Sequence, residues 1–285
     1  MNLQNEKPVR LIVSDVDGTL VNTKKSITDE NVAAIKLAMD QGVRVAIATG
    51  RAWNEMNEIF DKIPDLRYFI CSNGALVMDK QDNRQVYREG FPKQQALHLL
   101  DRLLEYGIYT EAYMGAAIYG TRESLPRVDY YIRENIRPFV LETRTFVADL
   151  RTYMDQFDMG PEKLQVFYGD ESMKQRIVQD LSNDTSYDLL LSSEGNLEFV
   201  LPHTTKGNAV KELGANWGIG ADQIMTIGDS HNDVSMLQFA DISIAMGNSD
   251  DFVKDSAQYI TKDNDSNGVA YAIHQVLERN KQLMS

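Results

Sequence analysis

The chain has 285 residues, of which 43% are hydrophobic and 25% charged, and a formal net charge of −13 at pH 7. That length suits roughly two domains, each large enough to bury a core. The acidic balance argues against nucleic acid or an anionic membrane as partner, so an anionic substrate must be met by a local positive site. The single cysteine, Cys71, excludes an intramolecular disulfide and reads as a buried thiol acting as a small hydrophobe. Residues 1–10 lack the apolar stretch of a signal peptide, and no run of about 18 apolar residues could span a membrane. A cytoplasmic location is therefore expected.

In chain order, the apolar pattern predicts a strand over Arg10–Val16 and a helix N-capped by Thr28, with Asp29 and Glu30 in its first turn and Gly42 at its end. Val43–Ala48 reads as a second strand, followed by Thr49-Gly50-Arg51 and a helix to about Asp61. Leu66–Cys71 reads as a third strand, ending in the turn signal Ser72-Asn73-Gly74. The middle changes character. Pro92–Tyr106 has leucines at helical spacing, and tyrosine-rich strand patterns fill Ile108–Tyr119. A helix is expected near Leu125–Asn135, a strand at Lys163–Tyr168, a helix over Glu171–Ser182, and two strands within Tyr187–Leu201 around Gly195. The last third returns to alternation: helix Thr205–Trp217, strand Ile224–Ile227, helix Asn232–Phe239, and strands Ile242–Ala245 and Tyr259–Ile260. This order predicts an α/β fold, a doubly wound parallel-sheet, Rossmann-like core over 1–87 and 199–285, with an α+β unit inserted at 88–198.

Four polar clusters fall at the carboxyl ends of expected core strands or at a helix start. They are Asp15-Val16-Asp17-Gly18, Thr49-Gly50, Lys206, and Gly228-Asp229-Ser230-His231-Asn232-Asp233. Ligands of open α/β sheets bind beyond those strand ends, so the clusters are expected to converge. In a strand, residues i and i+2 point to one side, so the start of the turn is expected to aim Asp15 and Asp17 into one small volume, where they raise each other's pKa unless a cation or a proton sits between them. Together Asp15, Asp17, Asp229 and Asp233 call for a hard divalent cation, and all-oxygen donors favour Mg²⁺ over zinc. Thr49, the amides around Gly50 and the Lys206 ammonium form a complementary anion pocket. Such equipment suits phosphoryl transfer.

With these motifs quoted, together with Ser72-Asn73-Gly74-Ala75, Lys206-Gly207 and Ala245-Met246-Gly247-Asn248, the chain resembles the haloacid dehalogenase (HAD)-like hydrolase superfamily. Within it, the sequence looks like the Cof-type phosphatases with an inserted type IIB cap. The resemblance implies that Asp15 is the nucleophile, forming an aspartyl-phosphate, and that Asp17 is the acid/base. It also implies Mg²⁺ held by an Asp15 oxygen, the Asp17 backbone carbonyl and Asp229, with Asp233 behind them. The phosphoryl oxygens would be bound by Val16, Thr49, Gly50, Lys206 and Asn232. A small phosphorylated metabolite is the implied substrate, with a phosphotransferase or mutase as the alternative chemistry. A phospho-ligand sensor without turnover is the non-enzymatic alternative. His231 and His203 read as peripheral. In the insert, Arg122, Arg127, Arg133, Arg137, Arg144 and Arg151 are candidates for reading a second anionic group, and Tyr113, Tyr119, Tyr130 and Tyr131 for stacking on a ring.

Overall fold

The computed structural model describes residues 3–4, 6–124, 132, 134, 137–190 and 195–285. They form two compact units. The first comprises Met1–Arg51, Met56–Tyr87 and Thr205–Ser285, and the second Ala52–Glu55 and Arg88–Thr204.

The first unit opens with β1 (Leu11–Ser14), every residue of which is buried. A strand flanked by others and covered on both faces needs such a continuous apolar run. Helix α1 (Asp29–Asp40) starts where Thr28 Oγ1 accepts from the Asn31 amide at 3.3 Å, and Gly42 turns the chain away with φ +80°. Then come β2 (Arg44–Ala48), α2 (Asn57–Lys62) and β3 (Tyr68–Cys71). Two strands follow that the apolar pattern does not announce, β4 (Leu76–Asp79) and β5 (Arg84–Arg88). β4 runs antiparallel to β3, and its last residue, Asp79, is buried and gripped by both Nε and Nη2 of Arg67 at 2.7 and 2.6 Å.

The second unit is built from α3 (Lys93–Leu104), β6 (Tyr109–Met114), β7 (Ala117–Thr121), α4 (Arg137–Thr143), β8 (Arg144–Val147), α5 (Leu150–Met154), β9 (Lys163–Phe167), α6 (Glu171–Leu181), β10 (Asp188–Leu190) and β11 (Asn196–Val200). Its six-stranded sheet has the order β10-β11-β9-β6-β7-β8. Because strand side chains alternate, Ala112, Leu164, Val166, Leu197 and Phe199 join Leu97, Leu100 and Ile177 in one apolar core. The intervening Glu111, Tyr113, Lys163, Gln165 and Glu198 are buried too, on a polar face stitched by Lys163–Glu198 at 2.7 Å and Gln165–Glu111 at 3.3 Å. β11 pairs with β9 along its whole length, which carries this unit past residue 198 to Thr204. The helix expected at Leu125–Asn135 lies almost wholly outside the described residues.

The chain re-enters the first unit at α7 (Lys206–Ala215), N-capped by Thr205 Oγ1, which accepts from the Asn208 amide. It continues through β12 (Ile224–Gly228), α8 (Val234–Phe239), β13 (Ile242–Ala245), α9 (Asp251–Asp255), β14 (Tyr259–Ile260) and α10 (Gly268–Met284). The eight-stranded sheet has the order β14-β13-β12-β1-β2-β3-β4-β5, parallel from β14 through β3. Among the described residues no helix is long and apolar enough to cross a membrane.

Candidate active site

The order β12-β1-β2-β3 settles why motifs far apart in sequence meet. These strands are parallel neighbours, so Asp229, Asp15, Thr49 and Ser72-Asn73 all emerge at one edge of the first unit's sheet. Asp15 is 4% exposed. Its Oδ1 accepts from Lys206 Nζ at 2.7 Å, and the same ammonium donates to Asp233 Oδ1 at 2.6 Å. Asp233 Oδ2 accepts from the amides of Asp229 and Ser230 at 2.9 and 3.0 Å, closing the capping box of the turn after β12. Thr19 Oγ1 donates to Asp229 Oδ1 at 2.8 Å. Carboxylate oxygens of Asp15, Asp229 and Asp233 lie within 4.8 Å of one another. Asp15 Oδ2, though buried, has no hydrogen-bond donor.

Electrostatics follow from that packing. Burial, then the Asp233 charge, pushes the Asp15 carboxyl well above the ordinary carboxylate range against the pull of Lys206. Asp229 is likewise raised, chiefly by burial, to about 6. For Lys206, burial works to lower its pKa, but Asp15 and Asp233 outweigh it and the ammonium is held above its usual value. A lysine so placed stays charged.

Asp17 departs from the period-two expectation. β1 ends at Ser14, so Asp17 lies in the turn beyond it, where strand alternation no longer applies. Its two oxygens accept from Arg51 Nε and Nη2 at 2.8 and 2.6 Å, outside the acidic trio. Burial opposes ionisation there, yet Arg51 wins and holds the carboxyl below its ordinary range. The mutual rise expected of the pair is thus corrected. The acids that raise Asp15, Asp233 and Asp229, come from the turn after β12, more than 200 residues on.

Thr49 is buried, and its Oγ1 accepts from the Arg51 amide at 3.1 Å. Asn232 Nδ2 donates to Asn73 Oδ1 at 2.9 Å, and the Asn73 amide donates to the Thr49 carbonyl at 3.0 Å. Asn73 takes φ 56°, a left-handed conformation that asparagine tolerates. A β-carbon on Gly50 would press on Asn73 Oδ1 at 3.0 Å, and one on Gly18 would collide with the Asp229 carboxylate. Val16 is buried, and its carbonyl accepts from the amides of Thr19 and Val21. Sequence reasoning gives no role to Arg51, Asn73 or Thr19, although each stands inside a strand-end motif, Thr19 after Gly18, Arg51 after Gly50 and Asn73 before Gly74.

The peripheral histidines stay peripheral. His231 is exposed, 2.8 Å from Asp250 and stacked on Phe252, and His203 is exposed. Among the arginines, Arg144 is corrected: it is buried in ion pairs with Glu55 and Glu111 and cannot read a substrate anion. Arg151 pairs with Asp101 and Arg122 with the Phe146 carbonyl, while Arg127 and Arg133 lie outside the described residues. Tyr113 is buried against Lys163 and Tyr119 packs on Tyr153; Tyr130 and Tyr131 lie outside the described residues.

A profile of haloacid dehalogenase-like hydrolases matches residues 12–273. The chain belongs to that family. The HAD relatives include the phosphatase YwpJ of Bacillus subtilis, 29% identical over 94% of this chain and 100% of that protein. The 5-amino-6-(5-phospho-D-ribitylamino)uracil phosphatase YwtE of the same organism is 29% identical over 94% of this chain and 98% of that protein. A HAD-like hydrolase structure from Bacteroides thetaiotaomicron superposes with a TM-score of 0.80 at 25% identity, covering 94% of this chain and 99% of that one. As a HAD-like enzyme the chain falls in the class of phosphoric monoester hydrolases.

Proposed function

We propose that this chain is a Mg²⁺-dependent phosphatase of small phosphorylated metabolites, such as sugar phosphates or phosphorylated cofactors, working through an aspartyl-phosphate on Asp15. The carrying observation is the Asp15 carboxylate: Oδ1 is anchored by Lys206 and Oδ2 is buried without a donor. An anchored carboxylate with one oxygen uncommitted has the form of a positioned nucleophile. Oδ2 attacks phosphorus, and the bond to the leaving oxygen breaks as Asp17 delivers a proton to it. Asp17 then takes a proton from the water that attacks phosphorus, which frees orthophosphate and restores Asp15. To serve as acid, Asp17 must let go of Arg51, because a carboxylate gripped at both oxygens is in its ionised form. Thr49, Lys206, Asn232 and the amides of Val16 and Gly50 would receive the phosphoryl oxygens. The inserted unit would select the leaving group, and the setting would be the cytoplasm.

The donors fit Mg²⁺. The trio offers only carboxylate oxygens, and no nitrogen or sulfur. Asp233 has both oxygens committed, so it would support the site while Asp15, Asp229 and the Asp17 carbonyl hold the ion. Bound Mg²⁺ would supply positive charge to the developing phosphoryl oxygens.

Screening phosphorylated metabolites with Mg²⁺ for orthophosphate release tests the reading; release with none of them overturns it. Retention of phosphate on an organic product would favour the transferase reading. Two results are expected beyond that. In single-turnover measurements of leaving-group release, Asp17→Asn lowers the rate with alkyl phosphates by about 10²–10⁴-fold and with p-nitrophenyl phosphate much less, since nitrophenolate leaves without a proton, while hydrolysis of the phosphoryl-enzyme slows alike for both; equal losses in leaving-group release would remove Asp17 from the acid role. The second concerns pH. A carboxyl raised in the fold stabilises below its unfolded pKa and loses that contribution as pH rises through the folded value, here about 6 for Asp229. The metal-free protein therefore loses stability across that window, and Mg²⁺ restores it. Melting curves with and without Mg²⁺ should separate strongly at pH 7.5 and barely at pH 5.

A further inference from the structure

The chain makes an excursion that neither motif nor pattern announces. It leaves the first unit after Arg51, spends Ala52–Glu55 in the second, and returns at Met56. Within the second unit this strap is fixed at three points. Ala52 packs with Tyr113 and Ile118, Asn54 Nδ2 donates to the Thr143 carbonyl, and Glu55 Oε1 accepts from Arg144 Nη1 at 2.6 Å. Glu55 Oε2 turns back to accept from the Ala52 amide at 2.9 Å, so the same carboxylate shapes the strap and anchors it. Arg144 itself is locked: its Nε donates to Glu111 Oε1 at 2.9 Å, and both ion pairs are nearly dry, with side chains 5% exposed for Arg144, 7% for Glu55 and 0% for Glu111.

We infer that Arg144 is a positioning residue for the phosphate-binding turn, acting through Glu55 and the strap. The covalent neighbour of Ala52 is Arg51, which holds Asp17 with its side chain, holds the Ser72 amide with its carbonyl, and donates its own amide to Thr49 Oγ1. Because Glu55 also holds the Ala52 amide, the strap's own conformation passes along the chain to the adjoining Arg51, whose amide donates to Thr49 Oγ1. Displacements of about 1 Å at such a site can cost up to 10²-fold in rate, and removing one partner of a buried pair leaves the other charge uncompensated. The inference rests on the roles proposed above for Thr49 and Asp17.

The test uses the full chain with Mg²⁺ and p-nitrophenyl phosphate, comparing wild type with Arg144→Met, Arg144→Lys, Glu55→Gln, the double variant Arg144→Met/Glu55→Gln and Glu198→Gln. Glu198 sits on the same buried face but forms its ion pair with Lys163, whereas Arg144 pairs with Glu55 and Glu111. Arg144→Met and Glu55→Gln should each lower kcat/KM roughly tenfold, mainly in kcat. The double variant should lose no more than either single one, as expected for two ends of one contact. Arg144→Lys should recover part of the loss, while Glu198→Gln lowers the melting temperature and leaves kcat/KM within roughly twofold. Hydrogen exchange of the peptide covering 48–56 should quicken roughly tenfold in Arg144→Met and Glu55→Gln, and not in Glu198→Gln. Additive losses in the double variant, or a Glu198→Gln loss matching that of Arg144→Met, would make Arg144 a general stabiliser and overturn the inference. If wild type releases no phosphate, the proposed function fails, yet unchanged exchange at 48–56 would still sink the role of Arg144 by itself. Should Arg144→Met fail to fold, Glu55→Gln carries the same test from the other end.

Discussion

Asp15→Asn is expected to lower phosphate release by roughly 10⁴-fold or more, the order that loss of a nucleophile costs. The same substitution should raise the melting temperature of the metal-free protein near pH 8. Burial and the charges of Asp233 and Asp229 work against an ionised carboxylate at this position, and an amide of the same shape removes that opposition. Lys206 Nζ keeps an oxygen to donate to, so the fold is retained. The pairing of lost turnover with gained stability distinguishes a nucleophile held in a hostile field from a carboxylate that merely braces the turn. A variant with unchanged turnover would end the assignment, and one both inactive and less stable would point to a bracing role. Quenching the wild-type reaction during turnover and recovering an acid-stable, base-labile phosphoryl-protein, absent in Asp15→Asn, would identify the intermediate.

Lys206→Met should be the most damaging single change to the fold itself. The ammonium is fully buried and is shared by Asp15 and Asp233. Removing it leaves two carboxylates without their cation, and breaking such a buried pair costs about 3–5 kcal/mol. The sign with pH follows from the acids, since the lysine stays charged throughout the working range. Burial already raises the Asp15 pKa, so taking up a proton relieves its uncompensated charge as pH falls, and the deficit should shrink from pH 8 toward pH 5. Denaturant midpoints measured at both values test this, and a deficit independent of pH would mean that packing, not charge, is what Lys206 contributes. Activity should fall as well, because Asp15 loses the donor that orients it.

Much of the candidate site is legible in the residues alone. Strand–turn motifs advertise themselves locally: an apolar run, then acids and glycine, marks where a backbone leaves a parallel sheet, and the four clusters need only the rule that such ends share an edge. Helix α1 is readable down to its cap, because Thr28 and Asn31 interact within one turn. β4 and β5 are not, since a short buried strand after a turn has no period of its own to display. The boundary expected near residue 198 falls inside β11 because a strand's membership is decided by its partner β9, which the local pattern does not contain.

Residue types and their order along the chain determined the α/β alternation, the inserted α+β unit, and the acids and lysine that stand as candidates for one site, with oxygen as their only carboxylate donor. Tertiary structure alone decided which carboxylates meet. It set Asp15 among Asp229, Asp233 and Lys206, gave Asp17 to Arg51, and spent Arg144 on Glu55 and Glu111. The division has one physical cause. Backbone propensity and hydrophobic period act over a few residues and are written in sequence, whereas charge pairing depends on distance and burial, which exist only after strands far apart in the chain have become neighbours.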